Sequence, residues 1–171
     1  MNKIDVDNKV VFFNGKWNRY AILNNHKRNG LIFNFSRYLI LEIGEILYAD
    51  TLERVWQDED RDTNYFYTKL YPDEPFYNTN GKKIRLKFWT ARLIFEAFNG
   101  KIPVDPITGI TQEIDHEDGC PRNNNLSNLS LATHKQNSRR KKQRESQLFS
   151  GKNYKNTKKK KNTVQERELC L

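Results

Sequence analysis

Residues 113–137 read EIDHEDGCPRNNNLSNLSLATHKQN. Asp115 and His116 set a carboxylate beside an imidazole, ahead of a loop built from turn formers, Asp118-Gly119 and the run Asn123–Asn125. Glycine takes positive φ without steric cost and short amide side chains bond their own backbone, so Ile114–His116 is expected as a short strand entering a loop. Leu126, Leu129 and Leu131 offer apolar anchors for a second short strand near Leu129–Ala132. Thr133 followed three residues later by Gln136 is a capping-box pattern, which starts a helix there and puts Asn137 in its first turn. Strand, loop, strand and helix would bring Asp115 and Asn137 together, although 137 − 115 = 22 positions separate them. A carboxylate oxygen facing an amide oxygen makes a small, hard, oxygen-only site, better suited to Mg2+ or Mn2+ than to zinc. An imidazole beside it can take a proton from water.

The succession Asp-His, Asp-Gly, a run of Asn, Asn-Leu and Thr-x-x-x-Asn in these 25 residues resembles the HNH nucleases, in particular the HNH homing endonucleases of bacteriophages and related viruses. The resemblance implies a ββα-metal fold and metal-dependent hydrolysis of phosphodiester bonds in double-stranded DNA, leaving 5′-phosphate and 3′-hydroxyl ends. It implies His116 as general base, and Asp115 and Asn137 as ligands of a divalent metal, Mg2+ or Mn2+. It also implies Asn128 as the residue that braces the loop and orients the histidine. His134 lies three residues before Asn137, on the same helix face; metal ligation, phosphate contact and plain exposure are all open to it. The bland alternative, an Asn-rich surface loop with a chance Asp-His pair, gives no reason for Asn-Leu and a capped helix downstream. Two other functions stay open. One is a non-catalytic nucleic-acid-binding protein with a relic HNH core; the other is an HNH nuclease of restriction, packaging or junction-resolving role.

At 171 residues the chain is about one domain with extensions, and 36% hydrophobic against 30% charged residues allow only a modest core. No apolar run approaches the ~18 residues of a membrane span, and MNKIDVDNKV lacks the apolar stretch of a signal peptide. A cytoplasmic, intracellular protein is therefore expected, which for the resembled family means the host cell of a phage or virus. Cys120 and Cys170, 50 positions apart with no CxxC pair, argue against structural zinc and fit a reducing compartment. Formal net charge is +9, yet residues 1–137 hold 18 Lys+Arg against 18 Asp+Glu, whereas residues 138–162 hold 11 basic residues against Glu145. A near-neutral body with a basic tail results, and Arg139, Arg140, Lys141 and Lys142 are candidate contacts to DNA phosphates.

The expected architecture is α+β. Residues 1–64 form a small antiparallel β-rich region, with Asn-Gly turns at 14–15 and 29–30 joining strands between Val11 and Phe35. Tyr38–Tyr48 reads as two strands around a bend at Gly44. It is similar to the small N-terminal module of phage HNH homing enzymes, without that module's serine-asparagine signature. The acids Asp58, Glu59, Asp60 and Asp62 read as a solvated turn. Residues 65–140 form the nuclease domain, with lead-in strands and helix over 65–100 and the ββα-metal core over 113–140. Tyr65–Leu70 and Ile84–Trp89 are its strands; Arg85 and Lys87 alternate with Ile84, Leu86 and Phe88, and so present a basic face that could lie along DNA. Thr90–Phe98 reads as a helix capped by Thr90, with Leu93, Ile94, Ala97 and Phe98 in one apolar stripe. This passage resembles the family's Val-His-Arg-Leu lead-in, with Trp89-Thr90 in place of Val-His. Beyond Asn137 the helix should continue through SRRKKQRES as a basic, largely non-amphipathic extension, and residues 141–171 make a basic, partly disordered tail.

Overall fold

The computed structural model describes residues 3–149. Of the tail expected over 141–171, residues 141–149 instead continue the helix that begins at His134, and the rest, with the disorder expected of it, lies outside the described residues. Twelve strands and two helices follow one another. The first seven strands are β1 (Ile4–Asp5), β2 (Val10–Phe13), β3 (Lys16–Ala21), β4 (His26–Arg28), β5 (Leu31–Phe33), β6 (Tyr38–Leu41) and β7 (Ile46–Tyr48). There follow β8 (Gln57–Glu59), β9 (Phe66–Leu70), β10 (Leu86–Trp89), α1 (Thr90–Asn99), β11 (Glu113–His116), a 3-10 turn at Leu126–Asn128, β12 (Leu129–Ala132) and α2 (His134–Phe149). The strands form a five-stranded sheet in the order β1-β2-β3-β6-β7, a three-stranded sheet β10-β9-β8, and the hairpins β4-β5 and β11-β12. All the pairings are antiparallel.

Local chemistry accounts for most of these elements. Asn14-Gly15 and Asn29-Gly30 both sit at positive φ, as a two-residue hairpin turn requires. In β9 and β10 the register Leu86↔Leu70 and Phe88↔Thr68 puts these four residues inside. Tyr67, Lys69, Lys87 and Trp89 then share the other face, the basic face expected from the alternation. Helix α1 buries Thr90, Ala91, Leu93 and Ile94, and its C-terminus is closed by Gly100 at φ 80, whose N–H bonds Glu96 O.

Two local expectations need correction. Trp89, not Thr90, occupies the N-cap position of α1 and makes no side-chain cap bond. Thr90 is the first helical residue, and burial leaves its hydroxyl without a partner. The acidic stretch is also more ordered than a solvated turn: Gln57–Glu59 is an edge strand paired with β9, and only Asp60–Asn64 turns, around bonds to the Asp60 carboxylate.

Two apolar clusters hold the molecule. The larger runs from Phe35, between β5 and β6, and Ile40 and Ile46 of β6 and β7, through Leu70 and Phe88 to Ile94 of α1 and Leu129 of β12. The smaller, of Val11, Tyr20, Leu39, Leu41 and Leu47, lies on the opposite face of β6 and β7. Both faces of the β6–β7 hairpin are thus covered by apolar side chains.

Candidate active site

Strand β11 pairs with β12 in the register Asp115↔Ser130 and His116↔Leu129. Strand alternation puts Glu113 and Asp115 on one face and His116 on the other. Helix α2 begins with the expected reciprocal box: Thr133 N–H donates to Gln136 Oε1 (2.9 Å), and Gln136 N–H to Thr133 Oγ1 (3.3 Å). That start directs Asn137, Arg140 and Arg144, spaced i, i+3, i+7 along one helix face, at the Glu113–Asp115 side of β11.

Asp115 is 3% exposed, and both its oxygens are engaged. Arg140 Nη1 donates to Oδ2 at 2.9 Å, and Arg144 donates through Nη1 to Oδ1 (3.2 Å) and through Nη2 to Oδ2 (3.0 Å). Burial alone would push this carboxyl up, but the bonds from Arg144 and Arg140 outweigh it and hold it below the ordinary aspartate value. Gly119 makes room for the second arginine: at φ +77, an added Cβ would stand 2.8 Å from Arg144 Cδ.

Asn137 donates its amide nitrogen to Glu113 Oε2 at 2.7 Å, which leaves the amide oxygen as its acceptor. Glu113 Oε1 meets Nδ1 of His134 at 2.8 Å. Those two contacts, the Asn137 amide first, lower the Glu113 pKa. His134 itself is exposed, with 78% of its side chain open to solvent. The donor types, an ionised carboxylate and an amide oxygen on one strand–helix interface, are those a hard divalent cation takes, and to reach Asp115 the cation would have to displace bonds from Arg140 or Arg144. Among the described residues there is no cluster of three or more His, Cys, Asp or Glu side chains that could hold a metal.

His116 is also 3% exposed. Its Nε2 lies 3.1 Å from Asn124 Oδ1. An amide oxygen can only accept, so the proton resides on Nε2, and Nδ1 is left as the basic nitrogen. Burial lowers the His116 pKa, opposed only in part by the Asn124 bond and by Asp118 and Asp115, so the imidazole is neutral near pH 7. Tyr65 tilts against the imidazole with ring centroids 5.5 Å apart. Beside them is a cavity of about 320 Å³ whose wall includes Tyr65, Trp89, Arg92, Gln112 and His116.

Asn128 ties the loop into a closed figure. Its Oδ1 accepts from Asp118 N–H (3.0 Å), while its Nδ2 donates to Asp118 Oδ1 (2.9 Å) and to Asn123 O (2.8 Å). Asp118 in turn accepts from Cys120 N–H and from Asn123 Nδ2. This is the loop-bracing geometry that the resemblance implies for Asn128, but the contact to the imidazole comes from Asn124.

The remaining sequence candidates divide. Lys87 is exposed on the β9–β10 face, its Nζ 3.8 Å from the Tyr67 ring centroid and 4.3 Å from that of Trp89; Arg85 lies over Tyr71 at 5.7 Å. On α2, Arg139, Lys141 and Lys142 are exposed, whereas Arg140 turns inward to Asp115. Three residues of the site went unnoticed in the sequence: Glu113, Asn124 and Arg144. Glu113 could have been found as the i−2 neighbour of Asp115 on the same strand face, whereas no spacing singles out Arg144 in a helix that is basic on every side. Nothing marks Asn124 out within the Asn run.

A buried carboxylate, a neutral histidine and a braced loop thus stand on a strand–loop–strand–helix frame, a ββα unit. Residues 88–139 match the family model described as HNH endonuclease. The chain also aligns with a solved structure described as DNA binding and cleavage by the HNH homing endonuclease I-HmuI, at 21% identity and a TM-score of 0.45. That alignment covers 67% of this chain and 60% of the other. No curated protein matches the chain.

Proposed function

We propose that this protein is a metal-dependent endonuclease that hydrolyses phosphodiester bonds of double-stranded DNA, in the homing or mobile-element class. The observation that carries the reading is His116, buried, neutral and fixed through Nε2 by Asn124, with an ionised Asp115 next to it in the strand. As hypothesised roles, His116 Nδ1 accepts a proton from water as the water oxygen bonds to phosphorus. The P–O3′ bond breaks, and the departing oxygen takes a proton from solvent. A general base of this kind contributes about 10²–10⁴-fold. Asp115 and Asn137 would hold the divalent cation, Mg2+ or Mn2+, whose contribution when bound is Lewis-acid neutralisation at the phosphate and the departing oxygen. Arg140 and Arg144 keep Asp115 ionised, and Asn128 with Asp118 keeps the loop in register with the His116 strand.

For DNA, the row Arg85, Lys87 and Trp89 supplies cations and an aromatic edge that ends at the cavity beside His116. The outer side of α2, with Arg139, Lys141 and Lys142, adds phosphate contacts that position the duplex without reading its sequence. His134 belongs on this reading with Glu113 rather than with the cation.

The test is cleavage of supercoiled plasmid and of a random duplex library with Mg2+, Mn2+ or EDTA, for the wild type and His116→Ala. Metal-dependent nicking or cutting that His116→Ala loses supports the reading. Binding without any strand scission would instead favour a relic core, and cutting at many short sites a restriction role.

A further inference from the structure

We propose that Gly44, 124 − 44 = 80 positions from the catalytic loop, is a positioning residue for His116, acting through Asn124. The inference rests on His116 being the base, and it assigns the N-terminal sheet a part in the chemistry that the family match, confined to residues 88–139, does not include.

Gly44 sits at the tip of the β6–β7 hairpin with φ +92, a conformation that side chains rarely adopt. A Cβ at this position would stand 3.0 Å from the carbonyl carbon of Asn124, 3.2 Å from its oxygen and 3.3 Å from its Cβ. The backbone of the hairpin therefore lies directly against the backbone of Asn124, and a side chain here would be strained and would push Asn124 by a few tenths of an ångström. Asn124 is 5% exposed, with Gly44 behind it and the imidazole at its Oδ1. Four further hydrogen bonds fix the same junction. Leu126 N–H donates to Glu42 O at 2.7 Å. Gln57 Nε2 holds the Gly44 carbonyl at 3.3 Å. The Arg122 guanidinium grips Glu59 Oε1 through Nε and Nη2 at 3.0 and 2.7 Å. Behind the tip, Ile40, Leu41, Ile46 and Leu47 are wholly buried, and close packing of this kind resists displacement. A rigid apolar element thus sets where Asn124 Oδ1 lies, and Asn124 sets which imidazole nitrogen is basic and where it stands. Misplacement by about 1 Å of a reacting group costs on the order of 10²-fold in rate.

The experiment is a double-mutant cycle on the full chain with Gly44→Ala, Asn124→Ala and both. It reads kcat and KM on duplex DNA with Mg2+, and the 15N shifts of the His116 ring at one fixed pH without metal or DNA. Gly44→Ala should lower kcat by about 10–100-fold with little change in KM. It should move the His116 ring signals in the direction that Asn124→Ala moves them. The double variant should be no slower than Asn124→Ala alone, since both act through one contact. Multiplicative losses, or wild-type ring signals in a folded Gly44→Ala, overturn the proposal. If Gly44→Ala does not fold, Gln57→Ala releases the Gly44 carbonyl without backbone strain. It should shift the same ring signals by a smaller amount, and unchanged signals there would equally overturn it. Should the wild type cleave no DNA at all, the nuclease reading fails while the ring signals still decide whether Gly44 positions the imidazole.

Discussion

The N-terminal sheet and the strand–loop–helix around His116 are held together by opposite means. In the sheet, Val11, Leu39, Leu41 and Leu47 pack on one side of β6 and β7, while Ile40 and Ile46 pack on the other. In the catalytic unit, Leu129 is the residue buried within the shared apolar cluster, with Ile114 and Leu126 only partly covered. Its order comes instead from polar closure: Asn128 on Asp118 and Asn123, Glu113 on Asn137 and His134, and two arginines on Asp115. Apolar burial is nearly non-directional, and its close packing makes it stiff without aiming any one atom. Hydrogen bonds lose strength within a few tenths of an ångström, so they fix atoms where the chemistry needs them. The catalytic unit gains placement from its bonds and draws its rigidity from the sheet.

The contrast can be broken most severely at the base. His116→Ala should lower single-turnover cleavage by about 10²–10⁴-fold while DNA binding measured by filter retention persists; near-normal cleavage in Mg2+ would remove His116 from the mechanism. On the apolar side, Leu39→Ala should cost about 2–5 kcal/mol in urea denaturation, with a far smaller effect on cleavage by the folded fraction. If activity fell as steeply as in His116→Ala, the division of labour between the two regions would be wrong. Asn128→Ala removes three bonds of the loop and should lower both the melting temperature and the rate, by about 1–3 kcal/mol of stability for the groups left unpaired. A change in rate alone would show that Asn128 touches the reacting atoms rather than the loop.

Replacing Arg139, Lys141 and Lys142 by Ala tests the outer side of α2 without disturbing Asp115. If all three meet phosphates, the slope of log K against log salt should flatten by about 2.7, at roughly 0.9 per contact on duplex DNA. An unchanged slope would move the duplex to the Lys87 face. The smallest effect is expected at His134→Ala, since Glu113 keeps its bond to Asn137; a loss matching that of Asp115→Ala would make His134 a metal ligand.

Where an element is specified by its own residues, the sequence was enough to read it. Thr133 and Gln136 cap α2 because each side chain reaches the other's backbone three residues away, and the pairing of β11 with β12 follows from Asp-Gly and the leucines beyond it. The three site residues missed are specified from a distance. The helix text SRRKKQRES is basic on every side, so no periodicity singles out Arg140 and Arg144; the buried Asp115 across the interface does that. Three consecutive asparagines are equivalent in the text, and only Gly44 and the imidazole single out Asn124. Strand β8 escaped because Gln57–Glu59 has no apolar alternation of its own and is held by pairing to β9.

The contact between Gly44 and Asn124 also orders events in time. The Asn-Gly hairpins close over two residues and can form within microseconds, whereas bringing Asn124 to Gly44 closes a loop of about 80 residues. The apolar frame is therefore expected to assemble first and the catalytic loop to dock last, so that a chain still emerging from the ribosome has no aligned histidine. Pulsed hydrogen exchange can follow this directly: the Leu126 amide, bonded to Glu42 O, should gain protection after the amides of β2 and β3, and cleavage competence should appear on the timescale of Leu126. On the proposed function, competence reached only on completion would spare nucleic acid during the protein's own synthesis.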